Sequence, residues 1–159
     1  MGIKVGILTV SDRGYRGERR DESGPAIKEL ISPLVPEVVE YALLPDDKEA
    51  IIGKLKQWAK MGLDLILTTG GTGLSPRDVT PEATMAVVDR PAPGFSEVMR
   101  AKTVSQNPRA MLSRGVSGVS GRSLIINLPG SPRAVKECLE VIFPALPHAL
   151  EVLRGEAVE

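Results

Sequence analysis

The chain has few of the residues on which many catalytic and metal sites depend. Its 159 residues include one cysteine, Cys138, and one histidine, His148. A single cysteine excludes an intrachain disulfide framework and a cysteine-cluster zinc site. A single histidine excludes His-rich metal sites, and we interpret His148 as structural and Cys138 as a packed core residue. Aromatic residues make up 3% of the chain, too few for a base-stacking platform.

The sequence also lacks a charge excess and a long apolar run. Lys plus Arg and Asp plus Glu each number 20, so the formal net charge is zero. A nucleic-acid surface normally carries concentrated basic charge, so we expect no nucleic-acid partner. No apolar stretch approaches the ~18–20 residues of a membrane span, and no signal-peptide pattern is visible. We therefore expect a cytoplasmic protein with no membrane partner.

Glycine and proline, at 16 and 13 residues, punctuate a regular alternation of apolar runs and amphipathic segments. Buried strands are predicted over 3–10, 38–44, 63–69 and 123–128, with a short edge strand within 113–121. Amphipathic helices are predicted to begin at Pro25, after Asp46, at Thr80, near Phe95 and at Ser131. This alternation predicts an α/β fold with a parallel sheet covered by helices on both faces. No linker divides the chain, so we expect one domain over residues 1–159.

The helix boundaries carry specific capping signals. Asp46 with Glu49 three residues later predicts a capping box at the start of the helix behind it. Thr80 is predicted to be the N-cap of the next helix. Pro144 and Pro147 are expected to kink or break the last helical region.

Four loops should meet at the carboxyl edge of the sheet, where ligands bind in folds of this class. They comprise residues 11–13, 45–47, 70–79 and 127–131. The third loop has three glycines within four residues, so its backbone can turn tightly and present several N–H groups to an anion such as phosphate. It is neither a Walker loop nor a dinucleotide fingerprint. On glycine spacing alone, a tight turn without a ligand is an equal alternative.

Two aspartates change that balance. Asp78 follows the glycine loop, and Asp46 ends the neighbouring strand at the same edge. Two carboxylates beside a phosphate site repel the phosphate unless a cation lies between them, so we expect Mg²⁺ there. Asp46 has a strong alternative role as a helix cap only, and Asp12 is a weaker third candidate.

The charged residues of the loop over 11–24 are less informative. Its arginines could clamp phosphates, but Asp21 and Glu22 lie beside them, so a solvated loop is the more ordinary interpretation. The arginines concerned are Arg13, Arg16, Arg19 and Arg20.

The motifs together resemble a known family. TTGGTG is followed by RDVTPEAT, with SDR after the first strand, PDD after the second, and LSRGVSGV and LIINLPGSP later. In this order they resemble the molybdopterin adenylyltransferases of the MogA type, and are similar to MoaB and to the gephyrin and plant Cnx G domains. The resemblance runs from Lys4 to Leu153. It implies a three-layer, Rossmann-like α/β fold with a mainly parallel sheet, the molybdenum cofactor biosynthesis protein fold. It also implies a homotrimer, although the compact C-terminal part resembles the often hexameric MoaB branch.

The resemblance implies an activity in molybdenum cofactor biosynthesis. Members transfer AMP from Mg-ATP to the terminal phosphate of molybdopterin, releasing pyrophosphate, and a molybdate-insertion enzyme uses the product. Asp46 and Asp78 are the implied catalytic residues and would hold Mg²⁺. The implied substrate or nucleotide contacts are Ser11, Asp12, Gly70, Gly71, Thr72, Gly73, Glu82, Ser113, Arg114, Asn127, Pro129, Gly130 and Ser131. The alternatives are a MoaB-like molybdopterin-binding or assembly protein without turnover, and a kinase or nucleotide hydrolase, which the missing P-loop lysine disfavours.

Overall fold

Strands and helices alternate along the chain in the computed structural model, which describes residues 2–157. The strands are β1 (Ile3–Val10), β2 (Pro36–Leu44), β3 (Leu65–Thr69), β4 (Arg90–Pro91), β5 (Ser117–Ser120) and β6 (Ser123–Leu128). The helices are α1 (Asp12–Tyr15), α2 (Ser23–Leu30), α3 (Lys48–Lys60), α4 (Thr80–Val87), α5 (Gly94–Thr103), α6 (Pro132–Ile142) and α7 (Leu146–Arg154). Within this part of the chain, no helix has the length and apolar character needed to cross a bilayer.

The six strands form one sheet in the order β2-β1-β3-β6-β5-β4. The first four are mutually parallel, and β5 and β4 add to the edge in antiparallel orientation. The parallel strands are connected through helices, so their carboxyl ends lie at one edge. The predicted mainly parallel α/β sheet is confirmed.

Helices cover both faces of this sheet and give the fold its three layers. Along β3, Leu65 and Leu67 belong to one buried cluster and Ile66 to the other, as the two-residue period of a strand requires. Helices α2, α5, α6 and α7 bury their apolar residues in the first cluster. Helices α3 and α4 bury theirs in the second. The run of apolar residues that predicted these strands is therefore explained by burial on both faces.

The cap predictions at two helices were wrong. The N-cap of α3 is Asp47, whose Oδ1 accepts a hydrogen bond from the N–H of Ala50 at 3.2 Å. Asp46 lies one residue earlier, so its carboxylate does not cap α3 and can contact other residues. Thr80 is the first residue of α4 and does not cap it, since the N-cap is Val79 and its side chain forms no capping hydrogen bond.

Other boundaries differ in ways that local contacts explain. The loop expected over 11–24 contains α1, which Ser11 caps through a 3.0 Å hydrogen bond from the N–H of Gly14. Helix α2 begins at Ser23 rather than Pro25, because Asp21 Oδ1 accepts hydrogen bonds from the N–H groups of Ser23 and Gly24. The break predicted at the C-terminal prolines is confirmed by a 3₁₀ turn over Phe143–Ala145 between α6 and α7.

A buried ion pair fixes the last helix to the start of β1. Arg154 donates from Nε and Nη2 to the two carboxylate oxygens of Asp64, at 2.8 and 2.7 Å. The N–H of Lys4 donates to the same carboxylate at 2.8 Å. Burial alone would raise the pKa of Asp64, but Arg154 and the Lys4 N–H outweigh it and hold that pKa below its usual value.

We expect Asp64→Asn to lower the free energy of unfolding by about 3 kcal/mol at neutral pH, because it removes the carboxylate charge to which Arg154 donates two hydrogen bonds. Since the folded pKa is depressed, the stabilisation is complete above the unfolded value of about 3.9 and is lost as pH falls through the folded pKa. The difference between variant and parent should therefore shrink in acid. Urea unfolding at several pH values tests this. Glu18→Gln is the control, because its pair with Arg16 is exposed to solvent and should contribute little to the free energy of unfolding.

Candidate active site

Three of the four loops at the carboxyl edge are joined through Asp12. Its N–H donates to Asp46 Oδ2 at 3.0 Å, and the N–H of Asp46 donates back to Asp12 Oδ1 at 2.9 Å. Arg77 donates from Nε and Nη2 to the Asp12 carboxylate, at 3.0 Å in both cases. The Arg77 guanidinium holds the pKa of Asp12 below its usual value. The loops after β1 and β2 are thereby fixed to the glycine loop.

The glycine loop allows no side chain at its sharpest point. Gly70 and Gly71 have φ values of +96° and +70°. A Cβ on Gly70 would lie 2.3 Å from the carbonyl oxygen of Val10, and one on Gly71 would lie 2.3 Å from Thr80 Oγ1. The backbone therefore approaches its neighbours more closely than any other residue would allow.

The two predicted carboxylates lie beside this turn. A Cβ built on Gly71 would lie 3.0 Å from Asp46 Oδ1, and one built on Gly73 would lie 2.9 Å from Asp78 Oδ2. Both aspartates line one cavity of about 690 Å³, which we call the carboxylate cavity. The expectation that residues 46 and 78 face a common space is confirmed, although their chemical roles remain predictions.

A second cavity of about 410 Å³ lies beside the first and is called the helix cavity, because α5 and α6 form one wall. Met99, Arg100 and Cys138 line that wall. Burial raises the pKa of the Cys138 thiol to about 11, consistent with its prediction as a packed residue. The two cavities share four lining residues: Gly71, Asp78, Gly130 and Ser131.

The electrostatics around Asp46 favour a cation. Burial raises the pKa of Asp46, and the negative charges of Asp12 and Asp78 raise it further. Among residues 2–157, no three His, Cys, Asp or Glu side chains are grouped closely enough to hold a metal ion by themselves. The donor set therefore fits Mg²⁺ in its usual arrangement, with one or two carboxylates and the remaining ligands from substrate phosphates and water.

Arg114 and Glu82 hold the glycine loop in place. The N–H of Arg114 donates to the carbonyl of Thr72, and its guanidinium donates to the carbonyls of Gly73 and Asp78, each at 2.8 Å. Its Nη1 also donates to Glu82 Oε2 at 2.6 Å. The Arg114 guanidinium holds the pKa of Glu82 below its usual value. These two predicted binding residues thus position Asp78.

The side chain of Asn127 is fully used within the fold. Its Nδ2 donates to Thr68 Oγ1 and Thr84 Oγ1, both at 2.9 Å, and its Oδ1 accepts from the N–H of Val116 at 3.1 Å. Asn127 is 2% exposed and lies on the wall of the helix cavity. Asn127 therefore forms part of the cavity wall, while its amide forms hydrogen bonds that connect β3, α4 and the residue before β5.

The remaining predicted residues are also held by local contacts. Ser131 caps α6 by accepting from the N–H of Ala134 at 3.2 Å. Ser113 Oγ accepts from the N–H of Gly115 at 3.2 Å, on the wall of the helix cavity. The carbonyl oxygens of Pro129 and Gly130 accept hydrogen bonds of 2.6 Å from the hydroxyls of Thr69 and Ser23. Loop 127–131 is therefore fixed where the two cavities meet.

Sequence reasoning missed two contributors to this edge. Arg100 donates to the carbonyl of Gly115 at 2.8 Å and lines the helix cavity. Its position in the last turn of α5 is an ordinary place for a cation, so the sequence did not indicate this contact. Thr80 Oγ1 is buried and has no hydrogen-bond partner in the described residues. The sequence analysis had assigned Thr80 as the N-cap of α4, whereas the N-cap is Val79.

Comparison with known proteins agrees with this geometry. Residues 6–148 match the family described as "Probable molybdopterin binding domain". The chain belongs to this family. It is 42% identical over 160 residues to a molybdopterin adenylyltransferase of Helicobacter pylori J99, covering 99% of this chain and 91% of that one. It is 38% identical over 172 residues to the molybdopterin adenylyltransferase of Escherichia coli K12, covering 99% and 88% of the two chains.

A solved structure also shares the fold of this chain. The molybdopterin biosynthesis enzyme MoaB of Thermus thermophilus aligns over 100% of both chains with a TM-score of 0.92 and 52% identity. The resemblance drawn from the motifs and the three-layer α/β fold that it implied are both confirmed.

Two glycines with similar backbone angles test the packing of the glycine turn. Gly17, at φ +76°, has no atom within 4 Å of the position that a Cβ would take, whereas a Cβ on Gly71 would meet Thr80. We expect Gly17→Ala to cost about 1 kcal/mol of unfolding free energy through backbone strain alone. Gly71→Ala should cost about 3 kcal/mol, because overpacking adds to that strain. Urea unfolding measures both, and equal losses would contradict the described contact.

Proposed function

We propose that this chain is a molybdopterin adenylyltransferase that transfers AMP from Mg-ATP to the terminal phosphate of molybdopterin and releases pyrophosphate. The observation that carries the proposal is the placement of Asp46 and Asp78 beside one glycine turn in a single cavity. The names of the full-length relatives from Helicobacter pylori and Escherichia coli support it. A protein that only bound a phosphate would gain nothing from two carboxylates next to it.

The reaction needs charge compensation more than proton transfer. The attacking phosphate is already ionised at neutral pH, since its second pKa is near 6. One of its oxygens forms a bond to the α-phosphorus of ATP, while the bond from that phosphorus to the bridging oxygen breaks and pyrophosphate leaves with the electron pair. Mg²⁺ held by Asp46 and Asp78 would neutralise part of the phosphate charge. The N–H groups of the glycine turn would orient the phosphates.

The two cavities supply separate places for the two substrates. The helix cavity, with Met99 and Arg100 on its wall, suits the pterin. The carboxylate cavity suits the polyphosphate and its metal ion. The reacting phosphorus would then lie at the shared residues, between Asp78 and the loop over 127–131.

The assembly and setting of this enzyme belong to the same proposal. We take residues 1–159 as one domain, of which residues 1, 158 and 159 lie outside the described structure. For its assembly we propose a trimer, with a hexamer as the alternative. The proposed setting is the cytoplasm, with a molybdate-insertion enzyme receiving the product.

Asp78→Asn tests the catalytic assignment. We expect it to reduce pyrophosphate release from Mg-ATP and molybdopterin by at least ~100-fold, because it removes one anionic ligand at the reacting phosphates. Molybdopterin affinity should stay close to that of the parent, as measured by fluorescence titration. Asp47→Asn is the matched control, since it removes a carboxylate beside Asp46 while asparagine keeps the α3 cap. Parent-like AMP transfer by the Asp78 variant would remove this residue from the mechanism.

A second candidate function is a MoaB-like molybdopterin-binding or assembly protein without turnover. The family match supports molybdopterin binding by itself, whereas the 52% identical MoaB structure is described as that of an enzyme. The same assay separates the two: molybdopterin binding without pyrophosphate release by the parent protein would establish the binding role. Release of ADP instead of pyrophosphate would indicate a kinase or hydrolase.

A further inference from the structure

Three arginines stand at the carboxylate cavity without a role in the assigned chemistry. Arg13, Arg19 and Arg20 all line this cavity, together with Asp46 and Asp78. All three lie within the segment over 13–20, with Arg13 in α1 and with Arg19 and Arg20 between α1 and α2. Their side chains are exposed, so a ligand in the cavity could reach them from solvent.

These arginines are not neutralised by an ion-pair partner in the protein. Within residues 2–157, no ion pair or hydrogen bond engages the guanidinium groups of Arg13, Arg19 or Arg20, whereas Arg16 in the same segment pairs with Glu18 at 2.8 Å. The carboxylate of Asp12 at the same cavity is already occupied by Arg77. Three such cations on one side of the cavity can bind an anion with several charges there, provided that Mg²⁺ offsets the negative charges of Asp46, Asp78 and Glu22 in the same lining.

Asp21 fixes the end of this segment over the cavity. Its carboxylate accepts hydrogen bonds from the hydroxyls of Thr9, at 2.9 Å, and Tyr41. It also accepts from the N–H groups of Ser23 and Gly24, at 3.1 Å each. Because its carboxylate already accepts these four hydrogen bonds, Asp21 fixes the backbone next to Arg19 and Arg20. Burial, together with the hydrogen bond to Asp21, raises the pKa of Tyr41 to about 12, so its hydroxyl stays protonated as a donor.

The direction of the reaction identifies the anion. In a phosphoryl-type displacement, the attacking and leaving oxygens lie roughly in line on opposite sides of the phosphorus. If molybdopterin enters from the helix cavity, the leaving group departs into the carboxylate cavity, where the three arginines stand. Arginine suits this task because its planar fork binds phosphate oxygens in a bidentate manner.

We propose that Arg13, Arg19 and Arg20 form a pyrophosphate subsite, which binds the β- and γ-phosphates of ATP and then the released pyrophosphate. This assignment rests on the proposed AMP transfer for its place in the reaction. Its ligand chemistry rests on the free cations and can be measured without turnover.

The test is calorimetric titration of the full-length protein with inorganic pyrophosphate and Mg²⁺, and separately with AMP. We expect Arg19→Ala/Arg20→Ala to weaken pyrophosphate binding at least ~10-fold, with AMP affinity changed less than about twofold. Arg19→Lys/Arg20→Lys should recover part of the affinity, because the charge returns without the fork. Arg16→Ala is the control within the same segment and should bind pyrophosphate as the parent does. Thermal unfolding of each variant checks that the fold is intact.

The outcomes separate this inference from the proposed function. Pyrophosphate affinity equal to the parent in the double variant, or no pyrophosphate binding by the parent, overturns the subsite. Loss of pyrophosphate binding in the variant supports the subsite even if ATP and molybdopterin give no turnover, in which case only the proposed reaction fails. Where turnover is present, the double variant should raise KM for ATP and leave KM for molybdopterin unchanged.

Discussion

Two carboxylates placed beside an anion-binding turn create an electrostatic conflict, and the rest of the site depends on how that conflict is resolved. Burial and two neighbouring negative charges already raise the pKa of Asp46. A phosphate at the turn would add further negative charge, at a cost of several kcal/mol in a site of low dielectric constant. A divalent cation between the carboxylates and the phosphate is attracted to both and offsets these repulsions. At the glycine turn itself, the arrangement is therefore unfavourable for a bare anion and favourable for an anion that arrives with Mg²⁺.

Among residues 2–157, the surrounding arginines form no ion pair with Asp46 or Asp78, and the charge of Arg77 offsets the raised pKa of Asp46 only in part. Arg77 forms its paired contact with Asp12 and leaves Asp46 to accept only backbone N–H. Arg114 donates to the carbonyl of Asp78 and pairs with Glu82, so the Asp78 carboxylate receives no guanidinium. Either arginine bound directly to Asp46 or Asp78 would neutralise that carboxylate and compete with the metal ion of the proposed reaction. Each arginine instead fixes the position of a loop at this edge and leaves the carboxylates of Asp46 and Asp78 negatively charged.

The sequence revealed the framework because its signals are local. A run such as Leu65–Thr69 is typical of a strand buried on both faces, and strand ends then predict which loops meet. The one-residue error at the α3 cap shows where local rules fail. Asp46 and Asp47 both satisfy the rule for an N-cap. A contact with Asp12, 34 residues away in sequence, holds Asp46 at the cavity instead. The Arg114–Glu82 pair spans 32 residues. No spacing rule could tell these residues from substrate ligands, because their function is set by tertiary contacts.

The junction between the cavities shows where selectivity can arise. Of the four residues shared by both cavities, two are glycines and one is a serine whose hydroxyl caps α6. If the proposed reaction takes place at this junction, little side chain is therefore available beside the phosphorus to distinguish one phosphate ester from another. Discrimination must come from the parts of each substrate that lie further away, in the helix cavity and near the segment over 13–20. Binding energy gained at those distant surfaces would align two anions at a junction whose own contacts are generic, which is how remote contacts contribute to rate as well as to recognition.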